Sequence, residues 1–469
     1  MLNISLTLKA GCCTGWSGNV ALWGVVLWSV FWGGAFEGRE TFLFAQQREA
    51  SPTRDGAADV TPLQPTSNAL GFREYQGKYL TLVTDLPHSA AIGELPLVFE
   101  AAMPQWGKYF GVEEKVWSGW KGTCYLIGDR NRFQEAGYFP AALPPFVYGY
   151  QLGEQMWCME QPGEYYRRHL LLHEGTHWFM NHALGNLAPP WLMEGTAEKL
   201  GTHRWQAGEL TLDVFPDRRE GFEYWGRLLL IKKQRGTSQA PTLEGILRYG
   251  PTAHLQVEAY AWSWAAIWFL RNHPRSAEAM ARLQTTKIVD PSALTPKLLT
   301  QLRPHWNELT TSWNAWVQQL DYGGDVSRDI PEMQTDVTGD ESQARLTLRV
   351  DRGWQDSGLR IKPGDKLSFQ AQGRYQVGAE PEPWWCEPEG VTLDYFSGQP
   401  LGKVVGLIVK GDAKGEMESG VKTEFLAIGS KLQCVAKQEG VLFLRINEPP
   451  VRLADNQGSI EVTIAIERP

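Results

Sequence analysis

The stretch LLLHEGTHWFM, Leu170–Met180, places two histidines four residues apart within an otherwise apolar segment. The segment contains no proline, and Gly185 follows it at a position typical of a helix C-terminus. We therefore predict an α-helix that begins near Tyr165 and carries His173 and His177 on one face. The same pattern is compatible with a helix whose histidines are only buried in the core.

Two histidines one helical turn apart are spaced to bind one tetrahedral Zn²⁺. Glu174 stands beside the first histidine, where a carboxylate can act as the general base of zinc-dependent hydrolysis. A catalytic zinc ion keeps three protein ligands and one open position, so the chain must supply a third ligand. That ligand is expected a short distance downstream, on a helix that packs against the first.

The segment WLMEGTAEKLG predicts this second helix, because Pro190 stands at its start and Gly201 at its end. Glu194 is the predicted third zinc ligand. Glu198, one turn further on the same face, is predicted to accept the free ring N–H of a ligating histidine. His169, one turn before the first ligand, does not complete a better set. The alternative is that both glutamates are ordinary surface carboxylates.

The wider pattern around these helices predicts an α+β domain. Strand-like pieces (KYLTLVTDL, GTCYLIGD and FVYGYQLG) alternate with helical ones from about Gly71. From about Tyr165 to Tyr322 the chain is expected to be mainly helical.

HEGTH followed by WLMEGTAE resembles the gluzincin metallopeptidases, which include thermolysin-like enzymes and zinc aminopeptidases. In that family HExxH supplies two zinc ligands and a Glu in a "WLxEGxA" helix supplies the third, which implies His173, His177 and Glu194 here. The resemblance covers roughly residues 71–322 and is similar in detail to secreted peptidase MA-like domains. It implies a thermolysin-like zincin domain, with a mixed sheet and a mainly helical second half, that acts on a peptide or protein substrate.

A later segment, EAYAWSWAAIWFL, is similar to the "YAxSWAxxxFL" helix of the peptidase MA-like domains. Tyr260 stands at the position whose phenol stabilises the tetrahedral intermediate in the aminopeptidases, so the resemblance implies an oxyanion donor. The alternative is a core tyrosine among tryptophans. The chain lacks the "GAMEN" stretch that holds the substrate's amino terminus in those enzymes, so aminopeptidase specificity is not implied.

Together the motif and the resemblance imply a zinc metallohydrolase that cleaves peptide bonds, with Glu174 as general base and Tyr260 as oxyanion donor. The alternative is a non-catalytic extracellular protein whose zinc is structural and whose second domain binds a carbohydrate or matrix partner. A closed site with four protein ligands would favour the alternative, because catalysis needs an open position.

The C-terminal part reads as a different kind of domain. Alternating runs such as RLTLRV, KLSFQAQG and SIEVTIAIE, separated by Gly, Pro and Asp, predict an all-β sandwich that folds independently from about Ser342. WQDSGLRIKPGDKLSFQAQG and GVLFLRINEPPVRLADNQGSIEVTI resemble the galactophilic bacterial lectins of the PA-I type, which bind Ca²⁺ and a sugar. The resemblance implies Glu448, Asp455 and Asn456 as calcium ligands. Arg452 brings a cation to this loop, and the family's sugar-contacting histidine segment has no match here.

Composition limits the partners of the chain. Its 469 residues are 43% hydrophobic, enough for two or three packed domains. The formal net charge is -8, so no general excess of cations is present to neutralise phosphates, and nucleic acid is not an expected partner.

The first 45 residues are typical of an export leader. Lys9 precedes a run that is apolar over Val20 to Phe36, and Ala45 offers a small residue for cleavage. The alternative is an uncleaved N-terminal anchor, the one case in which a membrane is expected as a partner. Either way we predict a secreted or extracytoplasmic protein. The predicted parts are the leader, a disordered linker, the gluzincin-like domain, a second linker and the sandwich, over residues 1–45, 46–67, 68–325, 326–341 and 342–469.

Cysteine usage agrees with export. Outside the leader, Cys124 and Cys158 belong to the first domain, and Cys386 and Cys434 belong to the second. One disulfide in each domain is the prediction, and two buried free thiols in each is the alternative.

Overall fold

The computed structural model describes residues 61–185, 188–331, 333, 342–411 and 423–469. The predicted leader and most of both predicted linkers lie outside these residues. Within them, no helix is both long enough and apolar enough to cross a membrane.

A six-stranded mixed sheet forms the N-terminal layer. Its strands are β1 Thr66–Ser67, β2 Arg73–Gln76, β3 Leu80–Thr84, β4 Gly122–Ile127, β5 Gly149–Leu152 and β6 Gln155–Met159. The order across the sheet is β1-β2-β3-β4-β6-β5, with parallel pairing only between β3 and β4 and between β4 and β6. The three strands predicted from alternating sequence correspond to β3, β4 and β5, and β6 was not predicted.

Helices make up most of the middle of the chain. They are α1 Ala90–Gly93, α2 Leu95–Phe110, α3 Glu114–Trp117, α4 Arg130–Glu135, α5 Glu164–Leu184, α6 Pro190–Gly201, α7 Arg227–Gln234, α8 Leu243–Leu247, α9 Val257–Asn272, α10 Ala277–Thr285, α11 Pro291–Leu302, α12 Trp306–Gln319 and α13 Val326–Asp329. A short hairpin, β7 His203–Gln206 and β8 Glu209–Leu212, interrupts the helical region. The sequence therefore predicted the helical middle correctly but missed the hairpin.

Helix α5 is buried along most of its length between the sheet and its neighbouring helices. Its apolar face packs on α2. The ring centroids of Trp178 and Phe99 lie 5.5 Å apart, and those of Phe179 and Trp106 lie 5.8 Å apart. The helix ends before Gly185, whose φ of 92° lies in the region that favours glycine. This packing gives α5 a fixed orientation in the hydrophobic core.

Helices α6 and α9 lie unusually close together at Gly195. A Cβ atom at this position would lie only 2.5 Å from the backbone carbonyl oxygen of Ser263 and 2.6 Å from Ile267. The glycine in the WLMEGTAE segment is therefore needed for close helix packing. This contact sets the position of Glu194, the preceding residue.

The C-terminal region is all β, as predicted. Its strands are β9 Gln343–Arg349, β10 Gln355–Ile361, β11 Lys366–Gln372, β12 Tyr375–Gln376, β13 Trp385–Cys386, β14 Val391–Phe396, β15 Gln399–Leu401, β16 Val404–Val409, β17 Thr423–Ala427, β18 Lys431–Val435, β19 Gly440–Ile446 and β20 Ser459–Glu467. Two antiparallel four-stranded sheets, ordered β10-β19-β16-β17 and β18-β11-β20-β9, enclose an aliphatic core. Two short ribbons, β12–β13 and β14–β15, lie outside these sheets.

The outer face of one of these sheets is covered by helix α12. Val405, Leu407 and Phe443 on this face form a buried cluster with Ala315 of α12. Gln319, at the end of the same helix, accepts a hydrogen bond of 2.8 Å from Arg445 Nη1. Strands β16 and β19 are consequently buried on both faces, a feature that the sequence did not predict.

Regular structure extends into both predicted linkers. Strand β1, which lies inside the segment predicted as the first linker, pairs with β2. Helix α13 lies inside the second, where the carbonyl of Arg328 accepts a hydrogen bond from Gly353 N–H in the C-terminal region. Thr66–Ser67 and Val326–Asp329 are therefore regular elements within the segments predicted as linkers.

Candidate metal centre

The structure brings the three predicted zinc ligands together. His173 and His177 lie one turn apart on α5, and Glu194 lies on α6. The Nε2 atoms of the two histidines are 3.1 Å apart. Oε2 of Glu194 is 3.2 Å from His173 Nε2 and 3.4 Å from His177 Nε2. These three atoms form a nearly equilateral triangle. The residues that supply them form a group of closely spaced ligand atoms that could hold a metal ion.

The size of this triangle fits a zinc ion. Ligand distances of about 2.0–2.1 Å in a tetrahedral site imply ligand atoms roughly 3.3–3.4 Å apart. Glu194 Oε2 is buried without a hydrogen-bond partner among the described residues, and a cation would satisfy it. No His, Cys, Asp or Glu in the described part of the chain joins these three as a fourth member of the group.

Glu198, predicted to accept the free ring N–H of a ligating histidine, lies behind the triangle. Its Oε1 atom is 3.5 Å from His173 Nδ1, the ring nitrogen that faces away from Glu194. Its Oε2 atom is 3.4 Å from His169 Nε2. The structure thus identifies His173 as the predicted ligand that Glu198 can orient.

Two residues that hold Glu198, and a third that holds one of them, were not found from the sequence. Arg227 Nη2 donates to Glu198 Oε1 at 2.9 Å and Arg227 Nε donates to Oε2 at 3.2 Å, while Trp225 Nε1 donates to Oε2 at 3.0 Å. Tyr166 accepts a further hydrogen bond of 3.1 Å from Arg227. A buried carboxylate requires a cation, but the sequence alone did not indicate which arginine supplies it.

His169, His173 and Glu198 form a second group with closely spaced potential ligand atoms. A buried cation already lies beside this group, because Arg227 forms an ion pair with Glu198. A metal ion there would face the positive charge of the guanidinium. His169 also uses its Nδ1 atom in a 2.8 Å hydrogen bond with the Gly201 carbonyl. The first group is therefore the better metal centre.

Glu174 is not a member of the ligand triangle. It is buried, and its carboxylate lies against Gly149 on the edge strand β5, where an added Cβ would overlap it. Glu174 belongs to neither group of closely spaced ligand atoms. Glu174 therefore follows the predicted ligand His173 directly in the sequence but is not itself placed to be a ligand.

The two glutamates differ in acidity because their neighbours differ. Burial raises the pKa of Glu174 to about 8, although His177 acts in the opposite direction. Burial also raises the pKa of Glu194, but His177 and His173 outweigh this effect and the pKa falls to about 2. Glu194 therefore has the character of an anionic ligand, and Glu174 that of a carboxyl group able to exchange a proton.

A cavity of about 410 Å³ opens beside the centre. Its lining includes Glu174, His173 and Tyr260, and its wall also contains Tyr148 and Tyr224. The side chains of Glu174 and Tyr260 thus face one space that a substrate can enter.

Tyr260 lies near the start of α9, next to the centre. Its ring centroid is 5.7 Å from that of His173, and the guanidinium carbon of Arg227 is 5.5 Å from the Tyr260 centroid. Burial, followed by the charge of Glu194, raises the pKa of the Tyr260 phenol. The hydroxyl therefore stays protonated and able to donate a hydrogen bond.

The predicted calcium loop is only partly assembled. Asn456 Nδ2 donates to Glu448 Oε2 at 2.5 Å, whereas Asp455 accepts a hydrogen bond of 3.2 Å from the backbone N–H of Ala379. Glu448 Oε1 and Asn456 Oδ1 are buried without hydrogen-bond partners among the described residues. Arg452 forms an ion pair with an aspartate of β14. Two oxygen atoms therefore remain available for a cation.

Comparisons with known proteins give weak structural likenesses. The sequence matches no protein-family profile and no curated protein. A structure titled "EclA N-terminal domain; PllA-like lectin" is 16% identical with a TM-score of 0.21, and the match covers 27% of this chain and all of that one. The IMPa metallopeptidase in complex with T-antigen is 12% identical with a TM-score of 0.16. That match covers 88% of this chain but 51% of the metallopeptidase, as does IMPa from Pseudomonas aeruginosa in complex with an O-glycopeptide. These TM-scores are low, so the likeness alone assigns neither fold family nor activity.

Proposed function

We propose that this protein is a secreted zinc metallohydrolase that cleaves peptide bonds, built on a thermolysin-like zincin domain with an accessory sandwich. The observation that carries the proposal is the triangle of His173, His177 and Glu194 atoms, whose sides of 3.1, 3.2 and 3.4 Å fit a tetrahedral zinc ion. Its position beside an open cavity supports catalysis rather than a purely structural metal.

Each of the nearby residues has a distinct role in the proposed reaction. When bound, zinc supplies Lewis acidity, which makes water a stronger acid and polarises the scissile carbonyl group. Glu174 takes a proton from the attacking water and passes it to the leaving amine. Tyr260 donates a hydrogen bond to the developing oxyanion from the same cavity. Glu198 and its partner Arg227 keep His173 in the orientation that binds the metal.

The alternative function is a non-catalytic extracellular protein with structural zinc. A structural site has four protein ligands, whereas this centre offers three among the described residues. Three ligands leave one position open, which favours the enzyme. A peptide or protein is the proposed substrate, and the composition still argues against nucleic acid.

Metal analysis tests the proposal. We expect about one zinc ion per chain, and His177→Ala should lose most of it because one of only three ligands is gone. His182→Ala is the matched control, since His182 lies on the same helix but in neither group of ligand atoms. Parental zinc content in His177→Ala would contradict the ligand assignment.

Hydrolysis is tested with mixed peptide libraries. The parent chain should cleave peptides, and a chelator should abolish cleavage that added zinc then restores. Zinc binding without cleavage would favour the non-catalytic alternative.

A second candidate function concerns calcium in the sandwich. The buried, unpartnered oxygens of Glu448 and Asn456 support a Ca²⁺ site there, and such a site would be consistent with a carbohydrate partner. Burial raises the pKa of Glu448 to about 7, and a bound cation would relieve the cost of ionising it. Calcium should raise the melting temperature of the parent chain but not that of Glu448→Gln. Identical melting curves with and without saturating calcium would leave the sandwich as a structural module.

A further inference from the structure

Cys124 and Cys158 lie together beneath the candidate centre. They belong to the neighbouring parallel strands β4 and β6, where Cys158 pairs in register with Leu126, two residues after Cys124. Residues two apart on a strand face the same side, so both thiols point into the same core. Their Sγ atoms are 3.8 Å apart, and each cysteine is at most 2% exposed.

We propose that Cys124 and Cys158 form a disulfide when the chain folds in the presence of a disulfide oxidant. The two thiols lose two protons and two electrons, one S–S bond forms, and the oxidant's disulfide is reduced to two thiols. Closing the gap to about 2.05 Å requires the two strands to shift as well as the side chains to rotate, because Cys124 pairs in register with Met156, two residues before Cys158. Because both cysteines are buried in the folded chain, the exchange takes place during folding, before the core excludes the oxidant.

The crosslink would stabilise one wall of the cavity. The segment between the two cysteines contains the edge strand β5. Gly149 of that strand pairs in register with Cys158 and lies against the carboxylate of Glu174. A bond between β4 and β6 therefore anchors the part of the sheet that positions Glu174. This inference does not depend on the metal or on the proposed reaction.

The sandwich cysteines provide an internal control. Cys386 lies on β13, with its Sγ atom 3.5 Å from the hydroxyl of Tyr375 and 3.1 Å from the carbonyl of Glu387. Cys434 lies on β18, which belongs to a different sheet, and it pairs in register with Leu367. All four described cysteines are free thiols in the structure. Because Cys386 and Cys434 lie on strands of different sheets, we expect these two to remain thiols, contrary to the predicted second disulfide.

Peptide mapping of the full chain, folded with oxidised and reduced glutathione and then alkylated under denaturing conditions, tests the bond directly. From the positions of Lys and Arg, trypsin should release peptide 122–130 linked to peptide 133–167, and reduction should separate them. Peptides 375–403 and 432–437 should carry the alkylating group without prior reduction. Fully alkylated 122–130 and 133–167 from the folded, oxidised chain would overturn the proposal.

Thermal melts provide a second measurement. A reductant should lower the melting temperature of the oxidised parent chain by on the order of 5–10 °C, because the crosslink restricts the unfolded chain. Cys158→Ser should show no response to the reductant, whereas Cys434→Ser should respond like the parent. Equal responses of the parent and Cys158→Ser would contradict the bond, even if a minor linked peptide were detected.

Discussion

Glu174 shows most clearly how two adjacent residues can have separate roles. His173 points toward Glu194, while the carboxylate of Glu174 lies against Gly149 at the cavity. The helix accounts for this separation, because consecutive residues point about 100° apart around its axis. Adjacent positions can therefore supply a metal ligand and a base without competing for the same ion.

Substitution of Glu174 by Gln should keep zinc and abolish hydrolysis. The amide has the same shape as the carboxylate but cannot accept the proton of the attacking water. Zinc content and peptide turnover should be measured on one preparation. Glu164→Gln, an exposed position on the same helix, is the control and should retain both. Parental turnover by the Glu174 variant would show that another group is the base.

Substitution of Tyr260 by Phe should lower kcat more than it changes KM. A phenol directed at the oxyanion acts mainly as negative charge develops, and loss of one such donor reduces kcat roughly 10²-fold, about 3 kcal/mol. Steady-state kinetics and zinc content should be measured together, and zinc should stay at the parental level. Folding should survive, because the ring and its packing against His173 are retained. An unchanged kcat would make Tyr260 a core tyrosine and leave the oxyanion donor unassigned.

At the scale of elements, the contact between α6 and α9 positions Glu194, the proposed third ligand. Glu194 and Tyr260 lie on these two helices, and Gly195 allows the helices to touch. The separation of the helices therefore controls both the metal triangle and the distance of the phenol from it. The sequence placed each residue on a helix, but the distance between the helices depends on side-chain packing.

Gly195→Ala should weaken zinc binding while leaving the chain folded. The added methyl meets the Ser263 carbonyl, so α6 must shift and carry Glu194 away from the histidines. We expect at least a 10-fold loss of zinc affinity, measured by competition with a chelator, and a destabilisation of about 1–3 kcal/mol. Gly250→Ala is the control, because no atom lies within 4 Å of a Cβ placed there. Unchanged affinity in the Gly195 variant would mean that the helix contact does not set the ligand position.

At the scale of the whole molecule, α12 connects the two regions. One side of this helix contacts the outer face of the sandwich, and Trp313 on α12 packs against Phe269 of α9 with ring centroids 5.3 Å apart. Helix α9 in turn carries Tyr260. Helix α12 therefore links the outer face of the sandwich to the helix that carries Tyr260.

Phe443→Ser should destabilise the full chain by about 3–5 kcal/mol, because it removes a large side chain from the cluster between α12 and the sheet. In an isolated fragment of residues 342–469 the same change should improve solubility, since this apolar face is then exposed. Urea denaturation and the soluble yield of the fragment measure the two effects. Phe425→Ser is the control, because Phe425 is already 49% exposed. A stable, soluble parent fragment would show that the sandwich does not need the helix.

The sequence by itself determined the features that depend on local periodicity and residue chemistry. The four-residue spacing placed His173 and His177 on one helix face, and Pro190 and Gly201 predicted the bounds of α6. Alternation of apolar residues predicted β9, β11 and β20. These patterns are readable because they arise within a single element, where neighbouring residues have fixed geometric relations.

Only the tertiary structure decided which distant residues meet. Arg227 lies 29 positions from Glu198, yet it supplies the cation that this buried carboxylate needs. Cys124 and Cys158 were equally compatible with a bond or with free thiols until the register of β4 and β6 brought their sulfur atoms together. Contacts of this kind depend on the packing of whole elements, where many sequences satisfy the same local pattern but only one arrangement fills the core and pairs its buried charges.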